Sequence, residues 1–294
     1  MTKTPPKQIA PIYRRRIGDI TVTAVSDGTL TRTHEMMIGV SAEDGARHLQ
    51  AAFRDAFVLS VNAFLVHLKD RLVLIETGSG DYLGPEAGNL LANLAKAGIR
   101  PDAIDCILLT HMHPDHSAGL TDLETGRPHY PNAELVCHEN EPRHWLQDDA
   151  AMARATEREK KLMFQQARDQ VAPYRDRLKT FSREGEILPG ITAVPLPGHT
   201  PGHTGYLISS GGENLLVWGD TVHMPEVQVP RPEVAMVVDT DPEAARTMRK
   251  RTFERVAAER LLVTGMHLHF PGFAHIARDG DGFRLVPEPW QQSL

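Results

Sequence analysis

The chain has very little cysteine: Cys106 and Cys137 are the only two in 294 residues. That excludes a scaffold built on disulfides. Both fall in apolar stretches that read as strands, where reduced core thiols are expected. Positive charge is also short, with 32 Lys and Arg against 38 Asp and Glu, a net charge of −6 and a pI near 6.2. Nucleic-acid backbones are held by Lys and Arg neutralising phosphates, so this balance argues against a nucleic-acid partner. No apolar run approaches the length of a membrane span, and Met1 to Gln8 contains no apolar segment of the kind that directs secretion. A cytoplasmic setting without membrane association is therefore expected. Low-complexity segments and linkers are missing too, so nothing in the composition divides the chain.

What is present is a globular composition, 41% hydrophobic and 24% charged. Residues 1–16 are rich in Pro and Arg without periodicity and read as an N-terminal arm, leaving 17–294 as a single domain. Strands are predicted at Ile20–Val25, Asn62–His67, Leu72–Ile75, Asp105–Leu109 and Glu134–Cys137. A second batch follows at Ile191–Pro195, Gly205–Ile208, Leu215–Trp218, Leu261–Val263, Phe273–Ile276 and Phe283–Val286. Asp27-Gly28 is a turn signal, and residues 30–56 form an irregular connection with a helix near Ala42–Phe53. Helices are also predicted at Asn89–Ala97 and at Asp241–Glu259, the latter with Asp241 as N-cap and Pro242 in its first turn. A polar, helix-prone insertion spans about 141–180, and its Trp145, Leu146, Leu162, Met163 and Phe164 must pack in the core or form a lid. Two similar batches of strands and helices predict an α+β fold: a four-layer sandwich of two packed mixed sheets with helices outside.

The densest chemistry follows the strand at Cys106–Leu109. His111, His113, Asp115 and His116 fall within six residues, with Pro114 ending the strand. Three imidazoles and a carboxylate at one strand end suit one or two borderline metal ions. Three later strands end similarly: Gly198-His199 after Val194, Gly219-Asp220 after Trp218, and Gly265-Met266-His267 after Val263. A glycine near the ligand is expected to allow a tight turn and clear room for a metal. Seven candidate ligands result: His111, His113, Asp115, His116, His199, Asp220 and His267. His203 reads as structural, while His223, His269 and His275 suit supporting roles.

The His111-x-His113-x-Asp115-His116 pattern with those companions resembles the metallo-β-lactamase superfamily. Glu76-Thr-Gly, Tyr82-Leu-Gly-Pro85, Tyr130-Pro-Asn-Ala133, Gly198 to His203, Trp218-Gly-Asp220, Asp239-Thr-Asp241, His267-Leu-His-Phe-Pro-Gly272 and Ala274-His-Ile-Ala-Arg278 resemble its methyl parathion hydrolase branch, from about Ile17 to Pro287. The resemblance implies a first metal on His111, His113 and His199 and a second on Asp115, His116 and His267. Asp220 and a hydroxide would bridge the two, with zinc the expected ion and Mn2+, Co2+ or Fe2+ alternatives. It implies a homodimeric hydrolase whose bridging hydroxide attacks a lactone, aryl ester or phosphotriester, since each passes through an anionic centre. Asp115 and Asp220 then belong to the catalytic apparatus. Leu83, Trp145 and Phe164 fall where the branch lines its leaving-group pocket, and His269 is taken with them. Glu76 and Thr110 are candidates to orient the ligating imidazoles.

Two departures stand out. The usual Asp-Thr-Gly is Glu76-Thr-Gly, one methylene longer. Related N-acyl-homoserine lactonases carry a tyrosine shortly after the bridging aspartate, whereas Asp220 is followed by Thr-Val-His223, so His223 is the candidate donor to the leaving group. Two other chemistries use similar ligands: a persulfide-dioxygenase-like enzyme with one iron, which leaves Asp115 and His267 idle, and a glyoxalase II-like thioester hydrolase, which does not match the His267 to Gly272 segment. A flavodiiron reductase would carry Glu at position 113. A nucleic-acid-processing member would show an inserted domain and a basic surface, and a non-catalytic relative would have lost ligands.

Overall fold

The structure, a computed structural model, describes residues 9–292, so the first eight residues of the predicted arm lie outside the described residues. Two seven-stranded sheets pack face to face. The first runs, across the sheet, Ile12–Ile17, Ile20–Arg32, Phe57–His67, Leu72–Ile75, Cys106–Leu108, Glu134–His138 and Leu178–Phe181. The second runs Gly185–Leu188, Ile191–Pro195, Thr204–Ser210, Glu213–Val217, Leu262–Thr264, Ala274–Asp279 and Gly282–Pro287. Both are mixed sheets, and helices cover their outer faces, so the structure has the α+β sandwich architecture expected from the sequence.

Strand alternation builds the layers. Val73, Ile75, Cys106 and Leu108 point into the space between the sheets, where they meet Ile191, Tyr206, Ile208, Leu215 and Val217. Their neighbours Leu74, Ile107 and Leu109 point outward, against Leu90, Leu94, Ala167, Val171 and Tyr174. The helix Pro242–Ala258 seals the other outer face with Phe253 and Val256; the Asp241 side chain accepts from Ala244 N–H, as its predicted N-cap role requires. Cys106 and Cys137 are both buried and free, and they sit in different cores on opposite faces of the first sheet.

Three segments differ from the sequence reading. Residues 12–16, placed in the unpatterned arm, form most of the first strand, paired antiparallel with Ile20–Arg32. The second strand does not stop at the Asp27-Gly28 turn signal; it runs on through a bulge between Ser26 and Gly28. Gly28 sits at φ +138° there, and a Cβ would lie 2.1 Å from the Glu86 carbonyl oxygen, so only glycine fits. The insertion is a chain of short helices rather than one element, and it serves the core and a cavity together: Trp145 and Phe164 are each 4% exposed. Among the described residues no helix is long and apolar enough to cross a membrane.

Candidate metal centre

The parallel strands bring their carboxyl ends to one edge of the sandwich, where open α/β sheets place their ligands. Leu72–Ile75 delivers Glu76, Cys106–Leu108 delivers Thr110 and His111, Glu213–Val217 delivers Asp220, and Leu262–Thr264 delivers His267. The short helix Pro114–Ser117 begins with the Pro114 that was expected to end the strand, and it carries Asp115 and His116 in its single turn.

One carboxylate oxygen sits at the middle of the cluster. Asp220 Oδ2 lies 3.0 Å from His223 Nε2, 3.2 Å from both His116 Nε2 and His267 Nε2, 3.4 Å from His199 Nε2 and 3.7 Å from His111 Nε2. Asp115 reaches His116 Nε2 at 3.6 Å and His267 Nε2 at 3.5 Å. Ligand atoms converge in four groups: His111–His113–His199, His111–His116–Asp220, Asp115–His116–His267 and His199–Asp220–His223. All seven residues picked from the sequence are therefore together, and His223 stands among them.

The donor set fits divalent ions. Imidazole nitrogens and carboxylate oxygens are ligands of borderline metals. Several of these atoms are buried without a hydrogen-bond partner: Asp220 Oδ1, both ring nitrogens of His116 and Nδ1 of His223. Orphaned buried polar atoms are costly unless something completes them. Burial pushes His111 and His113 well below the usual imidazole range, with neighbouring histidines adding to the effect, which favours the neutral rings that ligation needs. Burial would raise the Asp220 carboxyl, but His116, His267 and His223 outweigh it and hold Asp220 well below its usual range.

A second set of contacts fixes the rings. His199 Nδ1 donates to Asp239 Oδ1 at 2.7 Å, and His267 Nδ1 donates to the Ser60 carbonyl at 2.8 Å. His111 Nδ1 is 2.9 Å from Thr110 Oγ1. Glu76 accepts the Thr110 N–H at 2.8 Å through Oε1 and places Oε2 3.4 Å from His116 Nδ1. The Thr110 contact matches the orienting role considered for it, whereas Glu76 Oε2 stands beside His116 without a hydrogen bond to it. Glu76 is in the left-handed region at φ +69°, held there by its N–H to the Leu108 carbonyl and by its own carboxylate. His203 is structural: Nδ1 donates to the Leu196 carbonyl and Nε2 accepts the Asp220 N–H at 2.9 Å, while burial pushes its pKa down to about 3.

Gly198 and Gly219 make the tight turns expected of them, at φ +137° and +57°, but the room they clear is for packing. A Cβ on Gly219, at φ +57°, would lie 2.3 Å from His203 Nε2, and one on Gly198 would lie 2.4 Å from Ala245 N. They make room for the packing that holds the ligand loops, not for an ion.

Sequence reasoning passed over two carboxylates. Asp239 had been noted only in the opening of a helix. Glu141 opened the insertion read as polar and helix-prone, yet it is fully buried and accepts from Met112 N–H, Gly202 N–H, the Thr200 hydroxyl and the Trp145 indole N–H. An acid four residues before a tryptophan, next to Pro142, was the only local hint.

Two cavities adjoin the centre. One, about 470 Å3, is lined by Asp115, Asp220, His223, His113 and Leu83 among others; the second, about 550 Å3, by Trp145, Phe164, His144 and Asp239. Met36, Leu162, Met163 and Val238 belong to both walls. Leu83, Trp145 and Phe164 thus line space beside the cluster. His269 lines neither cavity; its Nε2 pairs with Glu226, a carboxylate that Arg54 also reaches at 2.8 Å.

A helix-flanked double sheet with imidazoles and carboxylates gathered at its strand ends defines a metal-dependent hydrolase. The chain belongs to the metallo-beta-lactamase superfamily, whose sequence profile matches residues 56–265. A probable metallo-hydrolase of Mycobacterium bovis, Mb2322c, is 25% identical over 240 residues, covering 72% of this chain and 74% of that protein. The crystal structure of a hydrolase of the beta-lactamase superfamily, AbOPH, superposes with a TM-score of 0.91 at 31% identity, covering 97% of this chain and all of that one. AidC, described as a dizinc quorum-quenching lactonase in complex with a homoserine product, superposes with a TM-score of 0.90 at 25% identity, covering 96% of this chain and 99% of that one.

Proposed function

We propose that the chain is a dinuclear hydrolase acting on lactones, aryl esters or phosphotriesters, as the resemblance to the methyl parathion hydrolase branch implies. The observation that carries this reading is the single Asp220 oxygen within 3.7 Å of five imidazole nitrogens. His111, His113 and His199 would hold one divalent ion, Asp115, His116 and His267 the other, and Asp220 would be shared. Zinc suits the nitrogen and oxygen donors, and the dizinc AidC structure supports it. What such ions supply when bound is water acidified from a pKa of about 15.7 to roughly 7 and an electrophile polarised for attack.

The chain's own residues then have distinct tasks. Asp239, Thr110 and Ser60 fix ring orientation, so that Nε2 of His199, His111 and His267 faces the cluster. Leu83, Trp145 and Phe164 exclude water around the apolar part of a substrate. His223 lines the nearer cavity with Nε2 3.0 Å from Asp220, and it would be the donor to the leaving oxygen in the stead of the tyrosine that related lactonases carry. Water divides across the acyl or phosphoryl C–O or P–O bond, giving acid and alcohol. Asp115 and His267, idle in a single-iron oxygenase, stand 3.5 Å apart, which supports two ions over one.

The test is a panel of lactones, aryl esters, methyl parathion and thioesters with zinc-, manganese- or cobalt-loaded protein, with His111→Ala and Asp220→Asn alongside. Turnover of at least one lactone, aryl ester or phosphotriester, lost in both variants, is expected. Variants as fast as the parent on the best substrate refute the assignment.

A further inference from the structure

The walls of the two cavities are mostly apolar, but the cations on them are unusual. Arg158 lies on both walls, Arg32 on the nearer one and Arg154 on the farther. Several other basic side chains are paired: Arg47 with Asp44, Arg143 with Glu139, Arg168 with Asp149 and Lys160 with Glu157. Arg32, Arg154 and Arg158 have no carboxylate within 4.0 Å among the described residues, and Arg32 reaches only its neighbour's carbonyl, that of Thr31. The acids on the same walls are committed elsewhere. Glu159 is held by the N–H and hydroxyl of Thr156, Asp239 by His199, and Asp115 and Asp220 by the cluster. In a chain with net charge −6, Arg32, Arg154 and Arg158 are thus wall cations without an ion-pair partner among the described residues. Arg158 and Arg154 are exposed and Arg32 is partly so, while Trp145 and Phe164 are buried.

We propose that the preferred substrate is an ester or lactone whose apolar acyl chain ends in an anion, with Arg158, assisted by Arg32 and Arg154, reading that anion while the scissile bond sits at the cluster. The proposal rests on the hydrolase reading above and adds the substrate class. Guanidinium groups match carboxylate and phosphate geometry, and Leu162 and Met163, on the same walls as Arg158, suit an apolar chain.

The test compares 4-nitrophenyl hexanoate with the 4-nitrophenyl monoester of adipic acid, which has the same chain length and a terminal carboxylate. Zinc-loaded enzyme at low ionic strength should favour the acid by about fivefold in kcat/KM, the scale of one or two exposed charge contacts. The ratio should fall toward one in Arg158→Gln, drop below one in Arg158→Glu, and shrink in about 1 M salt through screening. Arg255→Gln, a remote arginine paired with Glu259, should leave the ratio where it was. A parent ratio at or below one, or a ratio unmoved by Arg158→Glu, overturns the proposal. Calorimetric binding of hexanoate and adipate to the zinc-loaded protein reads the same selectivity without turnover. If neither ester is hydrolysed but adipate binds more tightly in an Arg158-dependent way, the ester reading fails and the anion site stands; equal binding of the two acids removes the anion site alone.

Discussion

Removing the Glu141 carboxylate should loosen the metal centre and lower stability together. Its Oε2 accepts from Met112 N–H at 2.8 Å and Trp145 Nε1–H at 2.9 Å; its Oε1 accepts from Gly202 N–H at 2.9 Å and from the Thr200 hydroxyl. Met112 lies between His111 and His113, Thr200 follows His199, and Trp145 lines the cavity, so one side chain ties both ligand loops to the substrate wall. Burial pushes this carboxyl up, and the four donors oppose that shift. Each buried donor left without a partner costs about 1–3 kcal/mol, and water entering the space recovers part of it. Glu141→Ala should therefore cost about 3–5 kcal/mol, or roughly 6–10 °C in Tm for a chain of this size. Glu141→Gln keeps one acceptor but turns an NH2 toward two donors, so it should recover little. The assays are thermal denaturation with and without zinc and zinc competition against a chelator, where about a tenfold loss of affinity is expected. A variant that melts within about 2 °C of the parent and holds zinc equally well would refute the reasoning.

Asp239→Asn replaces the acceptor of the His199 Nδ1–H, 2.7 Å away, and should weaken metal affinity by about 10- to 100-fold with little change in the apo fold, read by chelator competition and circular dichroism. Gly219→Ala forces a side chain into φ +57° and sets a Cβ 2.3 Å from His203 Nε2, so urea denaturation should show a loss of about 3 kcal/mol or more. Burial pushes the Cys106 thiol up to about 12 and also raises Cys137, so a disulfide-exchange dye should label neither in the native protein and both after unfolding.

The candidate ligands were legible because their signal is local. A strand, a small residue and a histidine or aspartate recur four times, and the alternation of Val73, Leu74 and Ile75 shows which faces the strands bury. The parts that escaped are those set by distant partners. Ile12–Ile17 carries three arginines and looked unstructured, yet its ladder is completed by Ile20–Arg32 and Arg15 pairs with Glu288 near the other end of the chain. Asp27-Gly28 has the composition of a turn, but the Asp27 carboxylate accepts the N–H groups of Ser79, Gly88 and Leu90, which holds the bulge inside a continuous strand. Glu141 and Asp239 support the ligand loops through contacts that no spacing rule encodes. His269 shares a motif with His267, two residues away, but Glu226 captures it.

The central claim is that Asp220 stands between two metal positions, and metal stoichiometry measured together with single-ligand variants tests it most directly. Protein loaded with zinc and freed of excess should carry two ions per chain, falling to one in His267→Ala and in His113→Ala, with Asp220→Asn weakening both. One ion per chain in the parent, unaffected by His267→Ala, would contradict the account.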